Sequence, residues 1–294
     1  MDTHQRIRRD LLAALPVTER RISLGGIDTA VLEGGRGEPV VLLHGPGAYA
    51  AQWTDVIPDL ATTHRVVAPD LPGHGASAAF AGAADLDTLA AWLDELVRCT
   101  CATPPILVGH TLGGAIAAHF AGTCDLPLAA LVLIDSLGLA PFRPDPAFAT
   151  ALQAFLDDPS PATHHGLWSR CLFDLPTVQQ RLGARWDLIE AYNLATMRPP
   201  ARIEALVSMM ERIAVPALPE ATLKAISVPT TLIWGRHDLA TPLSVAEEAS
   251  RRYGWALEVI DGAADDPALD QPQAFLTALR RLLDAVDGRR RAQP

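Results

Sequence analysis

The stretch ILVGHTLGG, residues 106–114, decides the fold. It opens on three large apolar residues, as in a short strand buried on both faces, and Gly109, Gly113 and Gly114 let the backbone turn at once into a helix. Thr111 stands at the apex of that turn. Similar short apolar runs bounded by turn residues recur at 39–43, 65–68, 105–108, 128–134, 229–234 and 257–260, and read as buried parallel strands. Between them, 85–98 and 113–122 carry apolar residues at helical spacing, so the chain predicts an α/β sheet with helices on both faces.

Residues 21–33 predict an antiparallel hairpin leading into this sheet. The strand rhythm lapses over 141–215, where Pro-flanked helical segments contain Trp168, Trp186, Tyr192 and the pair Met209 and Met210. That lapse predicts an inserted helical cap, 141–215, on a core domain made of 1–140 and 216–294. Residues 273–286 close the fold as an amphipathic helix, ahead of a polar Arg-rich tail from Gly288.

Composition narrows the functional classes. With 49% hydrophobic and 20% charged residues the 294-residue chain is globular, and no apolar run approaches the about 18 residues of a membrane span. The first residues mix acidic and basic side chains without an apolar core or cleavage site, so the expectation is a cytoplasmic protein without secretion signal or membrane partner. A net charge of -10 argues against nucleic acid, which is bound through clustered Lys and Arg. Cys99, Cys101, Cys124 and Cys171 have no metal-ligand spacing and read as reduced thiols, and no other set of residues predicts a metal site or a cofactor. A small molecule is the expected partner, with the protein a monomer or homodimer.

Four motifs occur in order over nearly the whole chain: HGPG at 44–47, DLPGHGAS at 70–77, GHTLGG at 109–114 and WGRHD at 234–238. Together they resemble the α/β-hydrolase superfamily in its capped, small-molecule branch. The resemblance implies a mostly parallel eight-stranded sheet flanked by helices, and a Ser-His-Asp triad whose serine sits in a Gly-x-Ser-x-Gly elbow. Here Thr111 holds the serine position and Asp238 the acid position. The histidine should fall in a segment resembling DGxGHxPxxExPxxF, but the chain reads DGAADDPALDQPQAF over 261–275. Asp265 takes its place, in a register anchored by Asp261, Gly262, Pro267, Leu269, Pro272 and Phe275.

The oxyanion donors implied by the resemblance are the backbone N–H of Leu112 and that of position 46, which is Pro46 and has none; Gly47 is the nearest substitute. Losing one such donor costs about 3 kcal/mol of transition-state stabilisation. A hydroxyl without a neighbouring base is a poor nucleophile, and β-branching at Thr111 compounds the loss. Thr111 therefore reads either as a substrate contact or as a local helix cap. Asp238 and Asp265, with Asp266 beside them, read either as carboxyls sharing a proton for acid–base work or as acceptors of loop N–H groups.

Among the histidines, His110 is expected to pack beneath the elbow, His44 and His74 to frame loops, and His237 to precede the acid; the pair His164 and His165 offers one relocated base. By analogy the pocket draws on His44, Pro46, Tyr49, Trp53, His110, Trp168 and Tyr192, each of which also reads as ordinary packing. The leading expectation is a cofactor-free, non-hydrolytic step (cyclisation, C–C bond formation or elimination) on a bulky apolar molecule such as a polyketide, in secondary metabolism. The alternatives are a residual esterase or C–C hydrolase using Thr111 with a displaced base, and a catalytically silent binding protein.

Overall fold

The computed structural model describes residues 3–80, 82 and 84–292. Helix α1 (Thr3–Leu12), which the sequence pattern did not announce, precedes the hairpin β1 (Val17–Leu24) and β2 (Ile27–Gly35). There follow β3 (Pro39–Leu43), a single 3-10 turn (Ala50–Gln52), α2 (Val56–Leu60), β4 (Arg65–Pro69), α3 (Leu86–Thr100), β5 (Ile106–His110), α4 (Leu112–Thr123) and β6 (Ala130–Ile134). Five helices come next: α5 (Pro146–Asp157), α6 (Pro161–Cys171), α7 (Leu175–Leu182), α8 (Ala184–Met197) and α9 (Pro200–Met209). A π turn (Met210–Ala214) and α10 (Glu220–Ala225) lead to β7 (Thr230–Gly235), α11 (Leu243–Tyr253), β8 (Ala256–Ile260), α12 (Pro267–Asp270) and α13 (Pro272–Ala292).

The eight strands form one sheet in the order β1-β2-β4-β3-β5-β6-β7-β8. The pairings of β2 with β1 and β4 are antiparallel and all others parallel. Strands β3, β5 and β6 are buried along their full length. Their alternate side chains feed two separate cores. Val41, Leu107 and Leu131 face Leu93, Ile116 and Phe120 on one side, whereas Val40, Val108 and Val132 face Ile57, Leu276 and Leu279 on the other. Strand β1, at the sheet's edge, is mostly exposed and carries Glu19, Arg20 and Arg21, a charged rim that discourages pairing with another chain.

Helices α5 to α9 start as the sequence demands. Asp145, Ser160 and Asp174 accept backbone N–H bonds at the first turns of α5, α6 and α7, each with proline in that turn. Helix α13 continues to Ala292, so the tail from Gly288 is helical up to that point; Gln293 and Pro294 lie outside the described residues. Among the described residues no helix is long and apolar enough to cross a membrane.

Helix α1 packs along α8 and brings Arg8 into a buried polar cluster. Arg8 Nη2 lies 2.8 Å from Asp70 Oδ2 and 2.6 Å from Glu19 Oε2, and its Nη1 donates to the Tyr192 hydroxyl at 3.2 Å. Asp70 in turn accepts the N–H groups of Ala50 and Ala76, so one carboxylate ties two loops at the carboxyl end of the sheet to the N-terminal helix.

Candidate active site

Strand β5 passes into α4 through one residue, Thr111, whose φ of 46° and ψ of -106° lie where a β-branched side chain is strained. Glycine is required around it. A Cβ on Gly109 would stand 2.3 Å from Gly113 O, and one on Gly113 would stand 2.5 Å from Leu43 O. Thr111 is 3% exposed, and its Oγ1 faces Gly45, where a Cβ would come within 2.4 Å. The hydroxyl makes no protein hydrogen bond and does not cap α4, which corrects the local-cap reading. The main chain instead is held by Thr111 N–H to Ile134 O and by Leu137 N–H to Thr111 O.

Asp238, at the end of β7, accepts the N–H groups of Ala240 (2.7 Å) and Thr241 (3.0 Å) on Oδ1. Burial outweighs these bonds and pushes its carboxyl up to about 7. The sequence reading missed a third member. Asp135 follows β6 with φ at 42°, is fully buried, and accepts Gly235 N–H at 2.9 Å. The other oxygens of Asp135 and Asp238 find no further protein donor. Burial, then the charges of Asp238 and Asp265, hold Asp135 well above the usual carboxylate range. Asp265 is raised in the same way, by burial first and by Asp238 second, with His110 opposing.

Asp266 and Asp270 are structural. Asp266 caps α12 through Leu269 N–H and accepts Gln52 Nε2; Asp270 accepts the N–H groups of Phe173 and Ala264. Among the described residues no three His, Cys, Asp or Glu side chains are grouped so as to hold a metal ion.

His110 lines the cavity instead of lying beneath the elbow, because its Nε2 donates to the carbonyl of Asp265 at 2.6 Å and draws the ring toward that loop. His44 donates from Nδ1 to Gly45 O and accepts Leu71 N–H on Nε2, a neutral tautomer that burial and neighbouring His74 enforce. It braces two loops from behind, outside the cavity lining. His164 is buried among Phe155, Trp168 and Trp186, accepts Asn193 Nδ2 at 3.1 Å, and is pushed down to about 4 by burial. His165 and His237 are exposed. No histidine ring nitrogen among the described residues hydrogen-bonds the Thr111 hydroxyl.

A cavity of about 310 Å³ opens above Thr111. Its floor is Gly45, Pro46, Gly47, His110, Thr111 and Asp265; its walls come from the helices between β6 and β7, with Phe148, Phe155, Leu167, Trp168 and Met197. Leu112 buries its side chain in the core and presents its N–H at the head of α4. Besides His44, three proposed lining residues lie elsewhere. Tyr49 and Tyr192 pack edge to face at 4.4 Å beside Arg8, and Trp53 lies between His110 and Phe275. The two tyrosine rings fill the seam that α1 closes, a long-range contact that local analogy could not see.

The model of the alpha/beta hydrolase family matches residues 40–278. The magnesium-chelatase 30 kDa subunit of Rhodobacter capsulatus is 31% identical over 259 residues, covering 82% of this chain and 86% of its own. A pimeloyl-(acyl-carrier protein) methyl ester esterase of Neisseria meningitidis is 29% identical over 255 residues, covering 84% and 77%. Among solved structures, 2-hydroxy-6-oxo-6-phenylhexa-2,4-dienoate hydrolase from Rhodococcus superposes with a TM-score of 0.79 at 25% identity, over 90% of this chain and 98% of that one. A bacterial membrane phospholipase A gives 0.82 at 23% identity, over 97% and 91%, a likeness of fold.

Proposed function

Since the chain belongs to the alpha/beta hydrolase family, we propose that it is an enzyme that has kept the family's frame and exchanged acyl transfer for proton transfer on a bulky apolar small molecule. The observation that carries this reading is the pairing of an unpartnered Thr111 hydroxyl with a carboxyl, Asp265, in the cavity where the family places an imidazole. A threonine with no base does not become an alkoxide, so the acyl-enzyme route loses its first step.

What the floor retains is suited to moving protons. The Leu112 N–H and the Thr111 hydroxyl polarise a substrate oxygen, which favours loss of a proton from the adjacent carbon. Asp265, with a proton affinity raised by burial and by Asp238, exchanges that proton, and the Asp135–Asp238 pair behind it sets the charge. The apolar walls orient the ligand and keep water from competing. Cyclisation, C–C bond formation and elimination all fit this scheme, without a cofactor, on a polycyclic or polyketide-like body.

The test pairs a covalent probe with a restored triad. A fluorophosphonate leaves wild-type Thr111 unlabelled, and p-nitrophenyl esters turn over no faster than background. Thr111→Ser combined with Asp265→His gains ester hydrolysis by at least about tenfold, still short of a true hydrolase because Pro46 lacks its N–H. Labelling of wild-type Thr111 with robust ester turnover refutes the reading.

A further inference from the structure

Of the polar side chains on the cavity floor, His110 has its Nε2 committed to Asp265 O, whereas Thr111 and Asp265 each present an oxygen without a protein partner. The lining contains no lysine or arginine. Arg143 lies beyond Phe142 in a neighbouring hollow, and Arg202, on the opposite flank, is bonded to Gly73 O. Asp265 Oδ1 has no protein partner, on a residue of the cavity lining. Two further groups point the same way. Thr111 Oγ1, on a side chain 3% exposed, and Asn193 Oδ1, on one 6% exposed, both belong to cavity-lining residues and lack a partner. Buried acceptors left unpaired cost about 1–3 kcal/mol each, so the ligand that belongs here supplies donors to them.

The walls add a second preference. Phe148, Phe155 and Trp168 present aromatic rings, whose faces attract cations, and Glu211 lies on the lining as a further negative charge. We infer that the cavity selects a protonated amine on an apolar, ring-bearing body, seated with its nitrogen between Asp265 and Thr111. The ammonium donates to Asp265 Oδ1 and to Thr111 Oγ1, and the charge balances. A neutral amine entering the site takes the proton from the Asp265 carboxyl and leaves ammonium and carboxylate facing each other. A carboxylate ligand meets Asp265 with no lysine or arginine on the lining to answer it. The inference rests on the reading of Asp265 as a group that works on ligand.

Calorimetric titration of the wild-type protein near neutral pH with tryptamine, tryptophol and indole-propionate, which share one ring and differ in the terminal group, tests it. Tryptamine should bind at least about tenfold more tightly than indole-propionate, with tryptophol between them. In Asp265→Asn the amine should fall to the level of the alcohol while the alcohol shifts by less than about threefold. The wild-type ranking alone is decisive if that variant does not fold. Indole-propionate binding as tightly as tryptamine, an amine preference that survives in Asp265→Asn, or no binding by any of the three overturns the inference. The non-hydrolytic reading falls instead on Thr111 labelling, so the two failures are distinguishable.

Discussion

Replacing Asp238 by asparagine should make the protein more stable at neutral pH, and the structure sets the size of the effect. The side chain is 6% exposed, and its Oδ1 accepts two loop N–H groups that an asparagine oxygen accepts equally well. What the substitution removes is ionisation. The native carboxyl holds its proton up to about 7 whereas the unfolded chain releases it near 3.8, so the native state binds the proton more tightly. Stability from this group is therefore fully present below about pH 4 and is lost progressively as pH rises to about 7. At about 1.4 kcal/mol per pH unit the loss is between about 4 and 5 kcal/mol, shared with Asp135 and Asp265, which titrate with it.

Buried His44, His74 and His164 are shifted downward and act with the opposite sign, raising stability as pH climbs toward about 6.5. The wild-type curve is thus a composite. The difference between wild type and Asp238→Asn isolates the carboxyl. In guanidinium melts the variant should gain almost nothing near pH 4 and about 2–4 kcal/mol near pH 8. A difference that stays flat across that range, or a less stable variant near pH 8, would refute the assignment of a protonated, buried acid.

Two other outcomes follow from the same geometry. Thr111→Gly removes a β-branched residue from a positive-φ position and deletes a hydroxyl that bonds nothing in the protein, so it should raise the melting temperature by the equivalent of about 1 kcal/mol while abolishing activity; a destabilised variant would deny the strain. Arg8→Leu leaves Asp70 buried without its cation and should cost about 3 kcal/mol in urea melts, with Asp70→Asn in the same chain recovering at least half of it; a double variant no better than the single would show that the charge pair is not the cause.

Much of the fold is readable because strands such as β3, β5 and β6 are buried on both faces and so leave uninterrupted apolar runs between turn residues. Thr111 and Asp265 are readable for a different reason: each lies in a segment fixed by glycines or prolines whose spacing leaves no slack. Asp135 is not, since an aspartate after a strand is equally at home as a turn residue, and its place beside Asp238 depends on β6 and β7 being neighbours in the sheet. The pocket position of His110 is readable, but the reading that packs it beneath the elbow fails for a similar reason. Its ring direction is set by the Asp265 carbonyl, which lies 155 residues away in the chain. The Tyr49–Tyr192 contact depends on α1 wedging Arg8 between distant segments, and no local periodicity encodes that.

The wedge has a consequence for synthesis. Arg8 and Tyr192 are 184 residues apart, so at typical elongation rates of about 5–20 residues per second α1 waits roughly 10–40 s after leaving the ribosome before its landing surface on α8 exists. During that interval α1 lacks α8 as a neighbour, and Arg8 has its carboxylates, Glu19 and Asp70, without the Tyr192 hydroxyl. Assembly of this seam is a late event in the life of the nascent chain, and chaperone demand should concentrate on this N-terminal segment.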